Sequence, residues 1–290
     1  MTLTTLTAPK AANRLNQILE TVSLAHDLTR FPVNVERLAL DTASVFGWKD
    51  TVTEIQSADI KGLEGCLLPN ETKSQWLILY NGNMKSQGRV RFTQAHELGH
   101  YLLHRQQKDS FECANAADMY NLSQEEKDIE ADADRFASYL LMPFDDYRRQ
   151  IDNTVNLEVF GICANRYGVS LTAAILRWLE YTQDKAVLVI SRGGFMRWAW
   201  SSASAFKAGA FFRTKNNVIP IPLNSLAADD SIKIERNGIN VAGKVWFQHA
   251  EPVMSLREMK IESDQFDSII TLLILPSVAD VWPLRFNNLG

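Results

Sequence analysis

Apolar side chains recur near a 3.6-residue period through Ala11, Leu15, Ile18, Leu19 and Val22, with Leu24 and Leu28 extending the same face. This predicts an opening helix, stopped by Pro32. A second short helix is expected over 35–46, with Leu38, Ala39, Ala43 and Val45 as its apolar surface and Gly47 at its end. The pattern changes between Thr51 and Asn83. Gly62, Gly65 and Pro69 punctuate it, and Trp76 to Tyr80 reads as a buried strand that ends at the Asn81-Gly82 turn. Arg89 to Phe92 alternates polar and apolar, which predicts a half-buried strand, with Thr93 capping the helix that follows.

The capped helix after Thr93 is expected to be amphipathic, with Leu98, Leu102 and Leu103 in the core. Ser123 opens the next helix, and Glu126 three residues on completes a capping-box pattern. Its apolar face is Ile129, Ala133, Phe136, Ala137 and Leu140, and Pro143 ends it. Two short helices follow between Asn156 and Thr182, the first with Leu157, Phe160, Ile162 and Ala164. Gly168 forms the turn, Ser170 the cap, and Ala174, Ile175, Trp178 and Leu179 the second face, the outline of a helix-turn-helix. Beyond Lys185 the apolar runs shorten to 186–190, 195–200, 218–221, 231–235 and 270–275, a strand-rich region separated by Gly, Asn, Asp and Pro. The fold class expected is α+β in three parts: 1–143, a helical piece over 144–184, and a C-terminal mixed α/β part over 185–290.

Composition narrows the function classes. A chain of 290 residues, 46% apolar and 22% charged, builds more than one core and is not disordered. With 30 basic and 34 acidic residues it lacks the concentrated positive charge of a protein adapted chiefly to a phosphate backbone. Its three cysteines form no CxxC pair, which excludes a Cys-type zinc site and a disulfide scaffold. The opening residues lack the pattern of a signal peptide, and the apolar run at 269–276 is too short to cross a bilayer. A cytoplasmic protein without a membrane partner is expected.

His96-Glu97-Leu98-Gly99-His100 reads HExxH. Residues four apart lie one helical turn above each other, so both imidazoles can reach one ion, while Glu97 is placed to face the attacking water. A catalytic zinc takes three protein ligands, and Glu130 on the Ser123-capped helix is the best third candidate, with Glu125, Glu126, Asp128 and Asp132 as its rivals. Asp134, one turn beyond Glu130, can accept from the far nitrogen of a liganding histidine. The plain alternative is that Glu130 and Asp134 are solvated helix charges. His104 continues the histidine stripe, but it stands about 12 Å along the axis from His96 and cannot share the ion. No glycine turn makes it a third ligand, and it is left as a structural group or as a substrate or transition-state contact. The expected strand at 89–92 offers an edge for an extended peptide.

The segments RFTQAHELGHYLLHR and IEADADRFASYLLMP resemble the two signatures of the ImmA/IrrE family of bacterial metallopeptidases. The resemblance implies a zincin-like core with His96, His100 and Glu130 as zinc ligands and Glu97 as general base; manganese is the alternative metal in cells. Asp134 stands where the family often has Asn. NRYGVSLTAAILRWLEY is similar to the helix-turn-helix-like piece that follows the family's core, and some members carry a GAF-like sensory domain after it. The function implied is a limited cut in a partner repressor of helix-turn-helix type that relieves repression of stress-response genes, with a small-molecule effector as a further partner of the C-terminal domain.

Two other classes compete. A DNA-binding regulator could use the helix-turn-helix, although Arg177 is the only basic side chain of its second helix, so direct nucleic-acid binding is the secondary expectation. A ligand-sensing or interaction protein with a vestigial metal site could use Trp198, Trp200, Phe211, Phe212, Trp246 and Phe247, residues that fit a hydrophobic core equally well.

Overall fold

A computed structural model describes residues 6–107, 111–114, 123–151, 155–263 and 267–283. The chain divides into two compact units, one of residues 1–149 with 163–170, the other of residues 150–162 with 171–290. The helical piece read at 144–184 is thus shared between the two.

The first unit begins with α1 (Ala8–His26) and α2 (Val35–Phe46), followed by β1 (Thr51–Ala58), β2 (Leu63–Pro69) and β3 (Gln75–Asn81). Then come α3 (Gln87–Leu103), β4 (Phe111–Ala114), α4 (Gln124–Leu141) and α5 (Phe144–Gln150). The sheet has the order β1-β3-β2-β4, with β1 parallel to β3 and β2 antiparallel to both β3 and β4. β4 therefore forms an edge. α3 packs against β2 and β3 and also against α4, which in turn contacts α1.

Two local signals act as read. Gly47 closes α2 in the left-handed conformation at φ 70°, and Asn34, which the pattern reading did not single out, caps it by accepting from Arg37 N. Ser123 and Glu126 form the full capping box of α4. Other expectations are corrected. Arg89 to Phe92 is not a strand but part of the first turns of α3, whose cap is Ser86, accepting from Arg89 N, and not Thr93. Four alternating residues fit either period, and Gly88 decides for close packing: a Cβ there would lie 2.8 Å from the Val169 carbonyl carbon. α3 is also not amphipathic, since Thr93 through Leu102 are buried without a break. In α1 the apolar stripe is only half used. Ala11, Ala12 and Leu15 are buried, whereas Val22 and Leu24 are exposed within the helix and Leu28 is exposed beyond its end at His26, where Asp27 is in the left-handed conformation.

The second unit contains the first half of α6 (Leu157–Tyr167), α7 (Leu171–Leu179) and a five-stranded antiparallel sheet of order β6-β5-β9-β8-β7. Its strands are β5 (Lys185–Arg192), β6 (Phe195–Ser201), β7 (Ile234–Ala242), β8 (Ser255–Ser263) and β9 (Ser268–Leu275), with short helices α8 (Ala203–Lys207) and α9 (Gly243–Trp246). α6 and α7 are separated by Gly168, which has φ 60°. Ile162, expected in the core, is exposed, and Arg177 is buried and paired with Glu180. The run at 218–221 is not a strand. Pro220 has no N–H to give, and only a bridge to Phe195 forms, supported by Met196 N donating to Ile219 O and Ile221 N to Gly194 O. Of the aromatic set, Trp246 and Phe247 are core residues, Phe212 stacks on Phe247 at 5.4 Å, and Trp200 is exposed. Among the described residues no single helix is long and apolar enough to cross a membrane.

β8 was hidden from pattern reading because it places charge in the core. Glu258 and Lys260 both have 0% exposure. The Glu258 carboxylate accepts from Ala227 N at 2.7 Å and from Trp246 Nε1 at 2.8 Å, while Lys260 Nζ donates to Asp229 O at 2.8 Å. Burial raises the Glu258 carboxyl above its usual range, against the pull of those donors. Glu258→Ala leaves the indole and a backbone N–H unsatisfied, each costing roughly 1–3 kcal/mol. Chemical denaturation is expected to show a loss of about 3 kcal/mol; a loss below about 1 kcal/mol contradicts this account.

Candidate metal centre

The centre is assembled on two helices that cross at their smallest residues. A Cβ on Gly99 would lie 3.0 Å from Phe136 Cδ1 and 3.2 Å from Ala133 Cα, so glycine opposite alanine lets α3 and α4 approach closely. This crossing brings Glu130 onto the histidines. His96 Nε2 and His100 Nε2 lie 3.0 Å apart. Glu130 meets them with separate oxygens, Oε2 at 3.2 Å from His96 Nε2 and Oε1 at 3.4 Å from His100 Nε2.

The donor set fits a divalent cation. Tetrahedral ligand atoms on bonds of about 2.05 Å stand about 3.3 Å apart, close to the 3.0 Å between the two Nε2 atoms and the 3.2 Å from His96 Nε2 to Glu130 Oε2. One ligand atom from each of His96, His100 and Glu130 lies within 4.8 Å of the others. Burial, outweighing the favourable contact with Glu130, lowers His100 to about 4, which keeps its imidazole neutral and able to bind a metal at pH 7. Burial opposes charge on Glu130 too, but hydrogen bonds from His100 and His96 prevail and hold its carboxyl well below the usual range. Two neutral imidazoles and one carboxylate are a common zinc-binding set.

Each rival of Glu130 on α4 for which a contact is seen is engaged elsewhere. Glu126 closes the capping box, Asp128 accepts from the Gln124 side chain at 2.9 Å, and Asp132 pairs with Arg135 at 3.1 Å. Asp134 Oδ1 lies 2.9 Å from His96 Nδ1.

His104 is buried, and its Nδ1 lies 3.1 Å from His100 Nδ1, the nitrogen that does not face Glu130. Two tyrosine hydroxyls are engaged elsewhere: Tyr101 Oη donates to Asp50 O at 2.6 Å and Tyr167 Oη to Asp146 at 2.6 Å, and both residues are fully buried. Tyr120 lies outside the described residues.

Two contributors carry no sequence signal. The ring of Phe111, at the start of edge strand β4, stacks on His100 with centroids 4.6 Å apart and an interplanar angle of 16°. Gly65 on β2 makes room for Glu97, since a Cβ there would stand 2.5 Å from Glu97 Oε1 and 2.7 Å from Thr93 Cγ2. Glu97 is the end of a flexible side chain, so Gly65→Ala is expected to shift the carboxylate without unfolding the protein. A displacement near 1 Å costs about a hundredfold in rate in a positioned site. We expect any reaction that uses the Glu97 carboxylate to slow at least about tenfold with metal stoichiometry unchanged, and an unchanged rate in the variant would refute the placement.

A family model describing the IrrE N-terminal-like domain matches residues 51–179, a span holding β1 through α7 and all three clustered ligands. Over residues 51–179 the chain is thus similar to the peptidase domain of the ImmA/IrrE family. The comparison with curated proteins gave no match. The matched residues include both segments quoted for the resemblance and the helices α6 and α7. The strand-rich region after 179 is not part of the match.

Proposed function

We propose that this protein is a zinc-dependent endopeptidase of the ImmA/IrrE family that makes a limited cut in a partner transcriptional repressor and so relieves repression of stress-response genes. The observation that carries the reading is the convergence of His96, His100 and Glu130 beside a fully buried Glu97. A zincin-like core with the HExxH helix under a sheet is consistent with it.

His96, His100 and Glu130 would hold the cation. When bound, it would supply Lewis acidity that lowers the pKa of a water and polarises the scissile carbonyl. Glu97 does the proton work: its carboxylate takes the proton of the attacking water and returns it to the departing amine nitrogen. Burial and the tight fit against Gly65 restrict where that carboxylate can sit, so little reorganisation is needed at the moment of transfer. Asp134 orients His96 through Nδ1.

Peptide alignment shifts from the segment first considered. Arg89 to Phe92 is helical and offers no edge. β4 does, at the end of the sheet order and beside His100 through Phe111, and an extended substrate pairing there is held by its backbone. The competing DNA-binding reading loses its main support, because Arg177, the only basic side chain of α7, is buried and paired. The sheet of the second unit supports a role as a sensory domain of GAF-like kind.

Purified protein incubated with zinc and with repressors encoded beside its gene is expected to produce one cut, lost on adding chelator. Absence of cleavage of every such repressor, with zinc bound, overturns the reading.

A further inference from the structure

His104 was the one motif residue without a role, and the geometry around it is specific. His100 presents Nε2 toward His96 and Glu130 and Nδ1 toward His104, at 3.0, 3.4 and 3.1 Å respectively. A histidine that gives the Nε2 lone pair to a cation carries its proton on Nδ1 and must donate it. Only a neutral imidazole with a free Nδ1 lone pair can accept it at His104, which places the proton of His104 on Nε2. His96 is arranged in parallel, with the Asp134 carboxylate 2.9 Å from its own Nδ1. The two imidazoles therefore have outer acceptors of different charge: a carboxylate supplied by α4 and a neutral imidazole supplied by α3 itself.

The position of His104 explains how one helix does both. It is the residue that closes α3, at φ −124° and ψ −11°, outside helical geometry, and its N–H still donates to His100 O at 2.8 Å. Leaving the helix turns the imidazole back onto the ring one turn earlier. Phe111 covers the same pair, with its centroid 4.6 Å from that of His100 and 6.1 Å from that of His104. His100 thus has a ring stacked on its face and a hydrogen-bond partner at its rear nitrogen.

We propose that His104 is a positioning residue of the metal centre, fixing the tautomer and ring orientation of His100 through an Nδ1-to-Nδ1 hydrogen bond. The inference rests on the metal-site reading of His96, His100 and Glu130, and it does not depend on what the enzyme cuts. Outer partners of this kind change metal affinity by about tenfold to a hundredfold. It follows that His104 matters to zinc affinity although it never touches the ion.

The test uses the full chain and zinc alone. Zinc affinity is measured by competition with a chromophoric chelator for wild type, His104→Leu and His104→Asn. Leucine keeps an apolar bulk and removes the acceptor; asparagine keeps an acceptor near the place of Nδ1. We expect His104→Leu to weaken zinc binding about tenfold to a hundredfold and His104→Asn to stay near wild type. Wild-type affinity in His104→Leu overturns the assignment, as does an equal loss in both variants. Ring-nitrogen NMR of the zinc-loaded wild type needs no variant to fold. It is expected to show His104 neutral with its proton on Nε2, and a proton on Nδ1 of His104 overturns the assignment. Zinc binding with these signatures but without cleavage of any repressor supports the assignment and sinks the peptidase reading alone.

Discussion

Glu97→Gln is expected to lower cleavage by about 10²–10⁴-fold while zinc binds as tightly as to wild type. The amide is nearly isosteric with the carboxylate, so the space beside Gly65 and Thr93 stays filled. It cannot take up a proton at neutral pH, so the attacking water keeps its proton and the leaving amine receives none. Glu97 is not among the clustered ligands, and nothing in the donor set changes. Cleavage rates of a repressor and zinc affinity, measured on the same preparation, separate the two roles. A variant that cuts as fast as wild type removes Glu97 from the chemistry.

Glu130→Ala has the opposite signature. It deletes the carboxylate of the three-residue cluster and leaves two imidazoles on α3. Loss of a direct ligand is expected to exceed the tenfold-to-hundredfold effect of an outer partner, so zinc affinity should fall more than about a hundredfold and cleavage should vanish with it. The fold should survive. Glu130 is half-buried, and alanine suits the middle of a capped helix. Zinc stoichiometry and affinity, with the helical signal as control, decide the matter. Unchanged stoichiometry and affinity reject Glu130 as a ligand.

The contrast between these variants shows what kind of information each feature carries. The HExxH spacing is local: four residues bring two side chains onto one helix face wherever that helix lies. The Ser123–Glu126 box is equally local and starts α4 where it was read. Strand β3, with a compact apolar run before Asn81-Gly82, was legible for the same reason. β1, β2, β4 and β8 were not. Gly65 interrupts β2, β4 has four residues, and β8 carries Glu258 and Lys260 into the core, so alternation fails wherever a buried charge has found partners in distant segments. Arg89 to Phe92 misled for a related reason, since a run of four residues contains too little of either period.

At the site, the choice of Glu130 over its acidic neighbours could be proposed from spacing but not decided by it. Glu126, Asp128 and Asp132 each have a partner within a turn of α4 or its cap, while Glu130 and Asp134 meet the histidines of α3. Gly65 and Phe111 had no signal at all, because nothing near either residue refers to the histidines.

What the sequence determined by itself is every relation that spans a few residues: the paired imidazoles, the adjacent carboxylate, the caps, the turn at Gly168. Tertiary structure alone decided which carboxylate completes the cluster, where Glu97 has room and which nitrogen His104 holds. The first of these depends on how closely two helices approach at Gly99 and Ala133. That distance is set by side-chain volume across the interface, a quantity that does not exist until both helices are in place.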